Sequence, residues 1–118
     1  MAFDHEKLDV YQVALRVIDT IDALIEQMPK GRAHLKDQLD RAVTSVVLTI
    51  AEGAGEFSRA DKQRFYRMAR RSATESAATL DIIARRKHAP PVLLEKARND
   101  LERVVAMLVR MSQSGRRS

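Results

Sequence analysis

At 118 residues the chain has the length of one domain, and a hydrophobic content of 45% with 31% charged residues fits a folded chain rather than a disordered one. The absence of Cys excludes disulfides, thiolate zinc sites and cysteine nucleophiles. The net charge of +5 is unevenly spread: Met1 to Pro29 carries two basic against six acidic residues (−4), and Phe57 to Lys87 nine basic against three acidic (+6). That asymmetry suits attraction of a polyanion to one face, or attraction between unlike faces of neighbouring subunits.

The N-terminus, Met1-Ala2-Phe3-Asp4-His5-Glu6, has neither a basic start nor an apolar run, so no signal peptide is expected. No stretch approaches the roughly 18 apolar residues that a membrane span needs. A cytoplasmic protein is the expectation. Aromatic residues are 4% with no Trp, which leaves a core of Leu, Ile, Val, Ala and Met, a mixture suited to packing between helices.

Four helices are predicted. The first spans about Asp4 to Met28, with Asp4 as N-cap and Val10, Ala14, Val17, Ile18, Ile21, Leu24, Ile25 and Met28 on one face. Pro29-Lys30-Gly31 ends it. The second spans about Arg32 to Ala54, its apolar side running from Leu35 through Leu39, Ala42, Val43, Val46 and Val47 to Ile50. Gly53 and Gly55 are expected to close it in the left-handed conformation that Gly tolerates.

Ser58 reads as the N-cap of the third helix, with Asp61 favouring the positive end of its dipole, and this helix continues to about Lys87. Pro90-Pro91 breaks the chain, and Pro91 suits the first turn of the fourth helix. There Leu94, Ala97, Leu101, Val104, Leu108 and Met111 form a heptad-like seam. Short connections make consecutive helices antiparallel neighbours, so the predicted fold is all-α: an up-and-down four-helix bundle over residues 1–113 with a flexible basic tail at 114–118.

Tyr11, Leu15 and Leu48 lie outside the main apolar stripes. They are either scattered surface residues or a contact surface shared with another subunit. On the third helix Phe65, Ala69, Ser72, Ser76, Leu80 and Ile83 fall on one side, and Arg59, Gln63, Arg64, Arg67, Arg70, Arg71 and Arg85 on or near the other. Arg suits phosphate because its planar guanidinium donates paired hydrogen bonds and keeps its charge. Two readings stand: a solvated face, supported by the Arg71–Glu75 spacing, or a nucleic-acid contact through Arg59, Arg64, Arg67, Arg70 and Arg71. With Tyr66 the only aromatic expected beside that face, no base-stacking platform is present, and any contact would be backbone-directed and salt-dependent.

Enzyme motifs are not found. Gly53-Ala54-Gly55-Glu56 lacks the Gly-Lys-Ser/Thr ending of a phosphate loop and follows no strand. His5, His34 and His88 sit near different helix boundaries and read as surface residues rather than metal ligands. Glu52 and Glu75 lie mid-helix, where they could pair with Arg at subunit contacts but are weak candidates for acid–base work. The expectation is a non-enzymatic protein that needs no cofactor and no metal.

Two blocks carry a family resemblance. One is Gln38-Leu39-Asp40-Arg41-Ala42-Val43-Thr44-Ser45 through Ile50-Ala51-Glu52-Gly53-Ala54-Gly55; the other matches at Arg64-Phe65, Ala69-Arg70, Ser72 and Glu75. They resemble the patterns Q-x-x-R-A-x-x-S-I-x-x-N-I-A-E-G-x-G-R and R-F-x-x-x-A-R-G-S-x-x-E of the bacterial four-helix-bundle family of 23S rRNA intervening-sequence proteins. That family includes the accessory variability determinant of diversity-generating retroelements. Arg41, Ser45, Ile50, Ala51, Glu52, Gly53 and Gly55 are the matched residues of the first block, while Thr49, Ala54, Glu56 and Arg71 depart from the pattern. The resemblance implies a homopentameric barrel of bundles and, for the retroelement members, a basic surface that binds nucleic acid and a reverse transcriptase. Two functions follow as expectations: an oligomeric protein that contacts RNA or DNA backbone through the third helix, or an oligomeric scaffold without nucleic-acid binding.

Overall fold

The computed structural model describes residues 3–114; residues 115–118 of the expected basic tail lie outside them. A 3-10 turn, Asp4–Lys7, precedes four α-helices: α1 Asp9–Glu26, α2 Ala33–Ala54, α3 Arg59–Arg85 and α4 Pro91–Ser114. Each packs on two others, α1 on α2 and α4, and α3 on α2 and α4, which is the up-and-down bundle. No helix among the described residues is long and apolar enough to cross a membrane.

The core follows from the apolar spacing. Ile21 and Leu24 of α1, Leu39 and Ile50 of α2, Leu80 and Ile83 of α3, and Leu101 and Leu108 of α4 are fully buried. Each such side chain contributes about 1.5–3 kcal/mol by leaving water. The few polar side chains inside satisfy themselves locally. Thr20, Thr49, Ser76 and Thr79 donate to the carbonyls of Arg16, Ser45, Ser72 and Glu75 one turn earlier, at 3.2, 2.6, 2.8 and 2.8 Å.

Helix ends correct several expectations. Asp4 does not cap α1: it opens the 3-10 turn, the chain is extended at Leu8, and α1 starts at Asp9, whose carboxylate lies in the first turn where the dipole favours it. This break lets His5 sit between the rings of Phe3 and Tyr11, at centroid distances of 5.7 and 4.6 Å. Gly31 adopts φ 88° between α1 and α2, the left-handed conformation a turn needs. Gly53 and Gly55 do not: Gly53 is within α2, and Gly55 caps it at φ −83°. The end of α2 is satisfied instead by Lys62, whose ammonium donates to the carbonyls of Ala54 (2.9 Å) and Gly53 (3.4 Å).

Ser58 caps α3 as expected, its hydroxyl accepting from the Asp61 N–H at 3.0 Å. At the other end α3 stops at Arg85, two residues before Lys87. Lys87 takes the left-handed conformation (φ 58°), while its N–H bonds the Ala84 carbonyl and the His88 N–H bonds that of Ile83. That pair of bonds is a Schellman closure, with Lys where Gly is usual.

Candidate functional site

The antiparallel register of α2 against α3 sets the site. Ser45 and Ser72 meet through a 2.9 Å hydroxyl–hydroxyl hydrogen bond, and Gly53 faces Tyr66 in the last turn of α2. Each of those serines belongs to one of the two matched sequence blocks, so the blocks are joined in space by this bond.

Tyr66 is therefore buried rather than beside the arginines, and the polar face of α3 carries no aromatic ring directed at solvent from that position. Burial raises the pKa of its phenol above the ordinary value. The predicted face is otherwise in place. Arg59, Arg64, Arg67 and Arg71 are exposed and Arg70 is half-buried.

These five arginines do not all line one groove. Arg64 lies over the Phe65 ring, 4.6 Å from its centroid, and within 3.8 Å of Asp61. Arg59 stands apart at the first residue of α3. Arg67, Arg70 and Arg71 come together as walls of an open groove of about 840 Å³, to which Ser45, Ser72 and Thr74 add hydroxyls. None of these three arginines has an ion-pair partner among the described residues. The expected Arg71–Glu75 pair is not formed, although Glu75 lines the same groove. At i,i+4 two long exposed side chains gain only about 0.3–0.5 kcal/mol by pairing, which solvent competes away.

The other matched residues divide between core and surface. Ile50 and Gly53 are buried and Ala51 is half-buried, whereas Arg41 and Glu52 face solvent and Gly55 is exposed at the helix cap. Arg41 pairs with Asp37 on its own helix at 3.3 Å. Of the residues expected at a subunit contact, Tyr11 is half-buried under His5, Leu15 is half-buried, and Leu48 is 54% exposed. Met68 on α3 is 40% exposed and lines the same groove as Arg67, Arg70 and Arg71.

Sequence reasoning missed the hydroxyls of the groove, and the only signal for them was the serine in each matched block. It also misplaced His88. This residue is half-buried, and its Nε2 is enclosed without a hydrogen-bond partner. Burial, with Arg32 and Arg86 nearby, holds its pKa below the ordinary histidine value. Among the described residues no group of His, Asp or Glu is arranged to hold a metal ion.

A family model described as "23S rRNA-intervening sequence protein" matches residues 6–110. The fold is similar to a crystal structure of a protein of unknown function from the S23 ribosomal protein family of Bacteroides thetaiotaomicron VPI-5482. The TM-score is 0.75 at 21% identity, covering 88% of this chain and 94% of that one. No curated protein matches the chain.

Proposed function

This chain belongs to the 23S rRNA-intervening sequence protein family, and from that premise we propose that it is a non-enzymatic binding protein that grips nucleic-acid backbone through α3. The observation that carries the reading is the convergence of Arg67, Arg70 and Arg71 on one groove with no carboxylate partner for any of them among the described residues. Three unpaired guanidiniums within little more than one turn repel one another, and a chain of phosphates relieves that repulsion while receiving bidentate hydrogen bonds. Arg64, held by Phe65 and Asp61, and Arg59 supply long-range attraction rather than docking contacts. The groove has no stacking platform, so binding is largely independent of base sequence.

The test is the triple variant Arg67→Glu, Arg70→Glu, Arg71→Glu, assayed by fluorescence anisotropy against mixed-sequence RNA and duplex DNA. The expected result is loss of binding by about a hundredfold or more at low salt, with the helical circular dichroism intact. Unchanged affinity contradicts the reading.

A second reading is favoured by a separate observation. Leu48 of α2 and Met68 of α3 are 54% and 40% exposed, and Met68 lines the groove. In that reading the face packs against a second copy, as the homopentamer of the sequence expectation would require, and Arg67, Arg70 and Arg71 meet acidic side chains of the neighbour, including those of α1. Leu48→Glu with Met68→Glu then reduces the mass seen by light scattering, and the arginine variant breaks the oligomer with no nucleic-acid binding at any stage. A reverse transcriptase partner belongs to this reading as well, and co-purification on the immobilised protein tests it.

A further inference from the structure

A surface built only to hold phosphates has no use for Glu75. Its carboxylate lines the groove with Arg67, Arg70 and Arg71, is exposed, and pairs with none of the described cations. For any polyanion it is a repulsive neighbour. For a hydroxyl donor it is the strongest acceptor available, because hydrogen bonds to an ionised acceptor are shorter and stronger than neutral ones.

The remaining polar atoms of the groove lean the same way. The Thr74 hydroxyl gives its proton to the Arg70 carbonyl at 3.0 Å, which leaves its oxygen as an acceptor. One of the two protons of Ser45 and Ser72 is taken up by their 2.9 Å contact, so the pair keeps free lone pairs to accept with beside one remaining O–H. Met68 and Val105 give the groove an apolar wall against which a sugar ring can lie. The backbone of DNA offers acceptors alone, and acceptors do not bond to acceptors. A ribose 2′-hydroxyl is a donor that Glu75 and these lone pairs can accept from.

We infer that the α3 groove is specific for RNA backbone: the arginines take the phosphates, and Glu75 with the Thr74 and Ser45–Ser72 hydroxyls accepts from ribose 2′-hydroxyls. This inference rests on the backbone-binding reading above. It assigns to Glu75 a role in discrimination rather than in affinity. Removing the carboxylate relieves repulsion for every polyanion and removes an acceptor only for RNA.

The experiment compares RNA, 2′-O-methyl RNA and DNA of one mixed sequence, each as single strand and as duplex, on the full chain and on Glu75→Ala. The unaltered protein is expected to bind RNA about tenfold more tightly than DNA, the scale of one hydrogen bond to a charged acceptor. 2′-O-methyl RNA, which has lost the donor, falls to the DNA level. In Glu75→Ala the affinity for DNA rises and the preference for RNA shrinks; helical circular dichroism checks the fold. Equal binding of all three ligands overturns the inference and leaves backbone binding standing. So does a Glu75→Ala variant that strengthens RNA and DNA alike. Binding to none of them overturns both.

Discussion

The ring of Tyr66 fills the space that a side chain at Gly53 would need: a Cβ there would sit 2.7 Å from Tyr66 Cε1, 3.0 Å from Cδ1 and 3.1 Å from the Phe65 Cβ. The glycine is thus a matter of packing between α2 and α3, and the close approach it permits sets the register that brings Ser45 to Ser72.

Gly53→Ala is expected to destabilise the protein by about 1–2 kcal/mol, as overpacking outweighs the gain in helix propensity. Gly55→Ala, whose Cβ would meet nothing closer than 3.7 Å at an ordinary φ of −83°, is expected to stabilise by about 0.5–1 kcal/mol. Urea unfolding of the two variants side by side checks the contrast, and equal effects would contradict the packing account.

This pair also marks what could be read before the fold was known. Helix number and the breaks at Pro29–Gly31 and Pro90–Pro91 were legible because those residues constrain the backbone locally, and Ser58 announced its cap in the same way. The extended Leu8 carries no such mark, since no Pro or Gly stands near it. Along α3 the apolar stripe is diluted by Ala, Ser and Thr, so its phase was uncertain by a residue and Tyr66 was put on the wrong side. The arginine cluster was legible as a face, but its division into Arg67, Arg70 and Arg71 around a groove depends on α2 and α4 as neighbours.

Lys87→Gly is expected to stabilise by about 0.5–1 kcal/mol. A left-handed conformation costs a residue with a Cβ roughly 1–2 kcal/mol, part of which is returned as the greater unfolded-state entropy of Gly. The Schellman bonds of Lys87 and His88 are to main-chain atoms and survive the change. A raised denaturation midpoint with an unaltered slope checks it; a lowered midpoint would show that the lysine side chain matters more than its backbone.

Acidification is expected to weaken the fold through His88. Its pKa is held down by burial and by Arg32 and Arg86, so below the ordinary value near 6.5 the unfolded chain takes up a proton that the folded chain refuses. The stability present above that pH is lost as the pH falls through about 6.5 toward the depressed folded value. His88→Gln, which does not titrate, is expected to flatten this part of the pH–stability curve, read as the thermal midpoint from pH 7.5 down to about 5. An unchanged slope in the variant would assign the effect to other groups.

The Ser45–Ser72 contact is expected to couple the two matched blocks. In a double-mutant cycle of Ser45→Ala and Ser72→Ala, the coupling energy is expected near 1 kcal/mol, the net value of one intramolecular hydrogen bond. Additive effects would mean that the hydroxyls are bonded to water instead.

Salt titration of RNA binding reads the number of arginine–phosphate contacts in the unaltered protein. If Arg67, Arg70 and Arg71 each displace a counterion, affinity falls about 20- to 40-fold between 50 and 200 mM salt, a slope of about −2.1 to −2.7 per bound protomer. The triple arginine variant then binds weakly at every salt concentration, with a flat slope. Binding that is indifferent to salt, or no binding at the lowest salt, would contradict a phosphate-directed groove on α3.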